Sequence, residues 1–202
     1  MDEPLASAAG NAVEVMNAVC YLTGKHRDAR LHEVTMALGA DLLVTGGLAK
    51  TAGEARKALQ RSLDKGTAAE RFARMVAELG GPVDLLEQPG RHLAVAPVQI
   101  EVYPHHPGFV TAIDTRAIGV AVIGLGGGRR LASDAIDHRV GFTELAGKGA
   151  GVDSDKPLAI VHAKDAESAE TASAAIRAAY ILGSAAPEPT KPVRARIKDA
   201  AQ

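Results

Sequence analysis

The residues best suited to chemistry fall in one run, Gly124-Leu125-Gly126-Gly127-Gly128-Arg129-Arg130. Glycines let backbone N–H groups converge on an anion, and two neighbouring arginines would add charge to such a site. The dinucleotide-binding pattern G-x-G-x-x-G does not fit, because these glycines follow a helical run and the sixth position is Arg129. Glycines also let a chain end a helix and turn closely against its neighbours. On the residues alone, an anion site and a packing loop both stand.

Other candidates are weaker. Asp134, Asp137 and His138 lie close together, yet D-x-x-D-H lacks the closed ligand spacing of a zinc site. With Arg129, Arg130 and Arg139 beside them, the two aspartates read as an ion-paired surface. His105 and His106 stand in a proline-flanked turn, YPHHPG, and read as solvent-facing. Cys20, the only cysteine, reads as a core residue of a reducing compartment.

Composition sets wider bounds. The 202 residues are 47% hydrophobic and 23% charged, enough for a globular core, with a net charge of −1. That balance provides no field to attract nucleic acid or an anionic membrane, and aromatics at 3% without tryptophan leave little for base stacking. Small metabolites are the expected partners. No stretch reaches the roughly 20 apolar residues of a membrane span, and the start lacks the basic-then-apolar order of a signal peptide. A cytoplasmic protein is expected, without nucleic-acid or membrane partners.

Periodicity divides the chain near Pro89-Gly90. Before it, residues 1–88 read as helical. Asn11 with Glu14 forms a capping-box-like start, and Gly24 is the stop of that helix. Leu31, Val34, Leu38 and Leu42 recur at helical spacing until Gly46-Gly47. Thr51 or Ala52 opens a further helix with Leu59 and Leu63 on one face, its many charges marking the wet side. Thr67 is the expected cap of a fourth helix, whose inward stripe would be Phe72, Met75, Val76 and Leu79.

After it, residues 89–202 alternate strands and helices. Strands are predicted in VQIEVYP, GFVTAID and PLAIVHA, helices over 115–126 and 166–182, and a last short strand in VRARI. The fold class is α+β: a helical layer followed by a small mixed β/α C-terminal unit. The helices at 10–80 have apolar faces with little sheet in the chain to cover them.

Three segments carry a resemblance: DEPLASAAGNAVEVMNAV at 2–19, RLHEVTMALGADLL at 30–43 and AIGVAVIGLGGGRRLASDAIDHRVGF at 117–142. With their P-L-x-x-x-x-G-N-x-x-E-V and G-G-G-R-R-x-x-S-D-x-I-D-x-x-V-G runs, they resemble the pyrimidine-nucleoside phosphorylase family over essentially the whole chain. That family cleaves the N-glycosidic bond of thymidine or related nucleosides with phosphate, releasing the free base and (deoxy)ribose 1-phosphate. Its members are homodimers in which a helical domain and an α/β domain flank a cleft.

The resemblance implies that this chain is the C-terminal part, including the helical remainder of an α/β parent domain. The family's phosphate loop, its lysine-histidine-serine motif and its pyrimidine-holding residues would lie in an N-terminal half upstream. Lys25-His26 mimics that motif, but Arg27 stands where serine is needed, and the three read as a solvated turn. No catalytic or substrate-binding residue is therefore expected here. Phosphorolysis needs a positioned anion and donors aimed at the departing base, so the chain alone is expected to be inactive.

The resemblance further implies a packing role for the 124–130 loop and a cation beside the phosphate site. The parent enzyme requires no organic cofactor. Its monovalent cation (K⁺) would be held here by the backbone carbonyls of Leu5 and Ala8, with Asn17 at the third position. An amide at Asn17 instead of a carboxylate removes the main charge complement. Two rival readings are a non-catalytic interaction module and an anion-binding protein using the 124–130 loop.

Overall fold

The computed structural model describes residues 2–197. A two-residue strand, β1 (Ala9–Gly10), precedes four helices, α1 (Ala12–Thr23), α2 (Ala29–Thr45), α3 (Ala52–Asp64) and α4 (Thr67–Glu78). One helical turn, α5 (Pro89–His92), leads into β2 (Val98–Val102), β3 (Gly108–Ile113), α6 (Thr115–Gly124), β4 (Gly141–Thr143) and β5 (Gly151–Val152). The chain then forms β6 (Ala159–Ala163), α7 (Ala166–Ala179) and β7 (Tyr180–Gly183). The fold is α+β, as the alternating patterns predict.

Short polar side chains start three of these helices. Thr51, Asp114 and Asp165 accept hydrogen bonds from the backbone N–H of Glu54, Ala117 and Ser168 respectively, satisfying donors that the first turn would leave orphaned. Asn11 does not cap α1 in this way. Glu14 reaches back to the N–H of Gly10 at 3.0 Å, which leaves the Asn11 amide available for a distant partner.

All strand pairs are antiparallel and form two sheets, β1-β4-β6-β2 and β5-β3-β7. Alternation along β6 buries Ala159, Val161 and Ala163, while Ile160 and His162 face the other side. The main core joins this inner face to α6 and α7 through Phe142, Ile118, Leu158 and Ile176, all essentially buried. Each such side chain contributes about 1.5–3 kcal/mol by leaving water. The helical layer has two smaller cores, Tyr21-Met36-Leu63 and Ala40-Ala49-Ala55.

Several expectations from periodicity are corrected. On α2, Met36 and Ala40 are buried, whereas Leu38 and Leu42 are 66% and 73% exposed, because α3 packs on the alanine side of the helix. On α4, Ala69 is buried while Met75 and Leu79 are exposed, so the predicted inward stripe is covered only in part. Gly66, at φ 76, occupies the N-cap position assigned to Thr67, whose hydroxyl instead donates to the Ser62 carbonyl.

The helix predicted over 166–182 ends at Ala179. Tyr180 turns extended and pairs with Ile113, so YILG becomes a strand. VRARI forms no strand: Arg194 pairs with Asp2 at 3.5 Å and Arg196 with Asp41. Cys20 is half-buried beside a cavity and is not a core residue.

Candidate functional site

The two motif-bearing segments, separated by more than a hundred residues, meet along one seam. β1 pairs with β4, placing Ala9 opposite Phe142 and Gly10 opposite Gly141. Both glycines have positive φ, +150 and +153, and approach so closely that a Cβ on Gly141 would lie 2.5 Å from the Ala9 carbonyl oxygen. Only glycine fits such an approach. The seam continues through Leu145 N–H to the Ser7 carbonyl (3.0 Å), Ala12 N–H to the His138 carbonyl (3.0 Å) and Asn11 Nδ2 to the Gly127 carbonyl (2.8 Å).

Ionic contacts fix the front of this segment. Arg30 donates to Glu3 at 2.7 Å and Asp2 at 3.0 Å, and the other Glu3 oxygen accepts from Lys148 N–H at 3.0 Å. Glu3 thus links α2 to the turn after β4.

Leu5, Ala8 and Asn17, the residues singled out for a cation, line one cavity of about 570 Å³ between the 4–9 segment, α1 and α6. Asn17 donates through Nδ2 to Asp28 Oδ2 at 2.9 Å, leaving its Oδ1 as the amide atom free to accept. Asp28 opens α2 but does not cap it. Burial pushes its carboxyl up, but hydrogen bonds from Asn17, Ser7 and His26 outweigh this and hold it below the usual range. Among the described residues, no group of three or more His, Cys, Asp or Glu side chains is placed to hold a metal ion.

The glycine loop is occupied by its own packing. Gly126 and Gly127 donate to the Ile123 and Val122 carbonyls, and Arg130 and Leu131 N–H both donate to Asp134 Oδ2 at 2.9 Å. A Cβ on Gly127 would meet Val122 and Val140. Donors already used inside the loop are not available to an anion. Asp137 receives Arg139 in a two-pronged pair at 2.9 and 2.7 Å, the ion pair expected in this acidic run, whereas Asp134 is held by backbone N–H groups and not by an arginine side chain.

The remaining histidines separate. His105 and His106 are exposed in their turn. In the turn after α1, His26 contacts Asp28 at 3.2 Å, while Arg27 donates to the Tyr21 carbonyl and lies over its ring. Asp28, Thr143 and His162 were not singled out by sequence. An aspartate immediately before a helix, and the position of His162 on the outer side of an alternating strand, were the available signals.

Residues 109–183 match the pyrimidine nucleoside phosphorylase C-terminal domain. The chain is 56% identical over 189 residues to a thymidine phosphorylase of Burkholderia lata, covering 94% of this chain and 43% of that protein. Thymidine phosphorylases of Burkholderia orbicola and Burkholderia cenocepacia are each 57% identical over 183 residues, covering 91% of this chain and 42% of theirs. The chain thus spans less than half the length of these curated relatives. Among the described residues, no helix is long and apolar enough to cross a membrane. By its motifs, its C-terminal domain and its relatives, this chain belongs to the pyrimidine-nucleoside phosphorylase family, matching the C-terminal part of it.

Proposed function

We propose that these 202 residues serve the reversible phosphorolysis of thymidine, to thymine and 2-deoxyribose 1-phosphate, as the C-terminal part of a pentosyltransferase in pyrimidine-nucleoside salvage and catabolism. The observation that carries this reading is the similarity to thymidine phosphorylases across 94% of the chain. Phosphate and the pyrimidine nucleoside are held by the N-terminal half of the enzyme, and the two-part division near residue 88 reflects that larger architecture. The seam between residues 2–14 and 126–145 keeps the Leu5-Ala8-Asn17 rim in place without taking part in bond breaking.

These 202 residues alone do not turn over. What supports this is that the N–H groups of Gly126, Gly127, Arg130 and Leu131 in the glycine loop, and the Arg139 guanidinium, are used in bonds within the chain. A K⁺ ion at this rim would take the Leu5 and Ala8 carbonyls and Asn17 Oδ1 as neutral oxygen ligands; what supports this is that the three residues line one cavity and that the Asp28 carboxylate stands behind the Asn17 amide. Its role would be to fix the 5–17 segment. The exposed Leu38, Leu42 and Leu79 favour association with further polypeptide, either the N-terminal half or a second subunit of a cytoplasmic homodimer.

The test is thymine release from thymidine, followed by ultraviolet absorbance with and without phosphate. The isolated chain is expected to give none. A fusion with the N-terminal part of the Burkholderia lata relative upstream is expected to give phosphate-dependent release. Turnover by the isolated chain overturns the inactivity, and a folded but inert fusion overturns the assignment.

A further inference from the structure

We propose that the cavity between the outer face of the β1-β4-β6-β2 sheet and α1 binds a neutral, planar small molecule carrying an amide edge. This site lies on different residues from the cation rim and does not depend on phosphorolysis.

The floor of the cavity is set by strand register. His162 on β6 lies opposite Gln99 on β2 and Gly141 on β4. Its Nε2 sits 2.8 Å from the Thr143 hydroxyl, which fixes the ring, and its Nδ1 has no partner among the described residues. Val13 and Met16 of α1 line the cavity together with the solvent-exposed Val95. The space is about 310 Å³, at the small end of ligand cavities and suited to a single ring with a substituent.

Charge decides the class of ligand. Arg139, the only permanently charged side chain lining the cavity among the described residues, is matched by Asp137. Burial lowers the affinity of the His162 imidazole for a proton and so favours its neutral form. An anion would compete with Asp137, and a cation would find no carboxylate in the lining. A neutral amide, in contrast, can present its donor and acceptor together to the Gln99 carboxamide and the free His162 nitrogen. Its ring would lie flat between the sheet and the apolar side chains of α1.

Methionine methyl resonances test this directly, because Met16 lines the cavity, Met36 is buried in the helical core and Met75 is exposed on α4. In the full chain labelled with 13C-methyl methionine, benzamide is titrated beside benzoate and benzylamine. Benzamide is expected to shift Met16 saturably, with Met36 and Met75 unmoved and with at least tenfold weaker effects of the two charged probes. Gln99→Ala, an exposed position, is expected to weaken the benzamide response at least fivefold while the Met36 resonance stays in place. No saturable Met16 shift, equal response to all three probes, or an unchanged response in Q99A overturns the proposal.

Discussion

Asn11 donates its side-chain amide to the Gly127 carbonyl at 2.8 Å, joining residues 116 positions apart at the point where both family motifs meet. The bond replaces the helix cap expected of Asn11, so one side chain links the start of α1 to the glycine loop. Removing it strands a part-buried carbonyl. Asn11→Ala is expected to cost about 1–2 kcal/mol, read as a lower urea midpoint with unchanged slope. An unchanged midpoint would mean that water replaces the amide.

The β1–β4 crossing sets a sharper limit. Gly141→Ala forces a Cβ to 2.5 Å from a backbone oxygen, whereas Gly66, also at positive φ, has open space around it. Gly66→Ala is therefore expected to cost about 1 kcal/mol of conformational strain, and Gly141→Ala about 3 kcal/mol or more from strain and backbone displacement together. Thermal unfolding of the two variants side by side checks the order. Equal losses would show that the strands separate easily at this point.

Arg30 secures the segment ahead of the crossing. Its two bonds to Asp2 and Glu3 are part-buried, and Glu3 in turn receives the Lys148 N–H. Arg30→Met keeps the apolar stem and removes the charge, with an expected loss of about 1–2 kcal/mol. The distinguishing measurement is hydrogen exchange at Lys148 N–H, which should speed up in the variant as Glu3 is released. Exchange there at the wild-type rate would show that Glu3 holds its position without Arg30.

His162 gives the fold a pH dependence of defined sign. Burial lowers its pKa from 6.5, so the unfolded chain binds the proton more readily than the native one. The resulting stability is complete above about pH 6.5 and is lost as pH falls from there toward the depressed native value. Wild-type protein should unfold at lower urea concentration at pH 5.5 than at pH 7.5, and His162→Gln should reduce the difference. A variant with the full wild-type slope would assign it to other groups.

Much of the fold was legible because its signals are local. The helix start at Thr51 or Ala52, the helices beginning at 115 and 166 and the strand in PLAIVHA need only neighbouring residues, and each element forms where those patterns stand. The stripe on α4 misled because 3.6-residue periodicity marks an apolar face without saying what covers it. In this chain Met75 and Leu79 remain exposed. The helical pattern of α7 runs on through Tyr180, but pairing with β3 outweighs that local preference.

By itself the sequence determined the class of fold, the glycine-rich and acidic runs, and the family resemblance, since these are written in residue type and short spacing. Only the tertiary structure decided that Gly10 faces Gly141, that Asn11 reaches Gly127, and that His162 shares a cavity with Met16. Those relations depend on strand register and on how the start of the chain returns to β4. Each joins positions far apart along the chain, where one-dimensional spacing carries no information about distance.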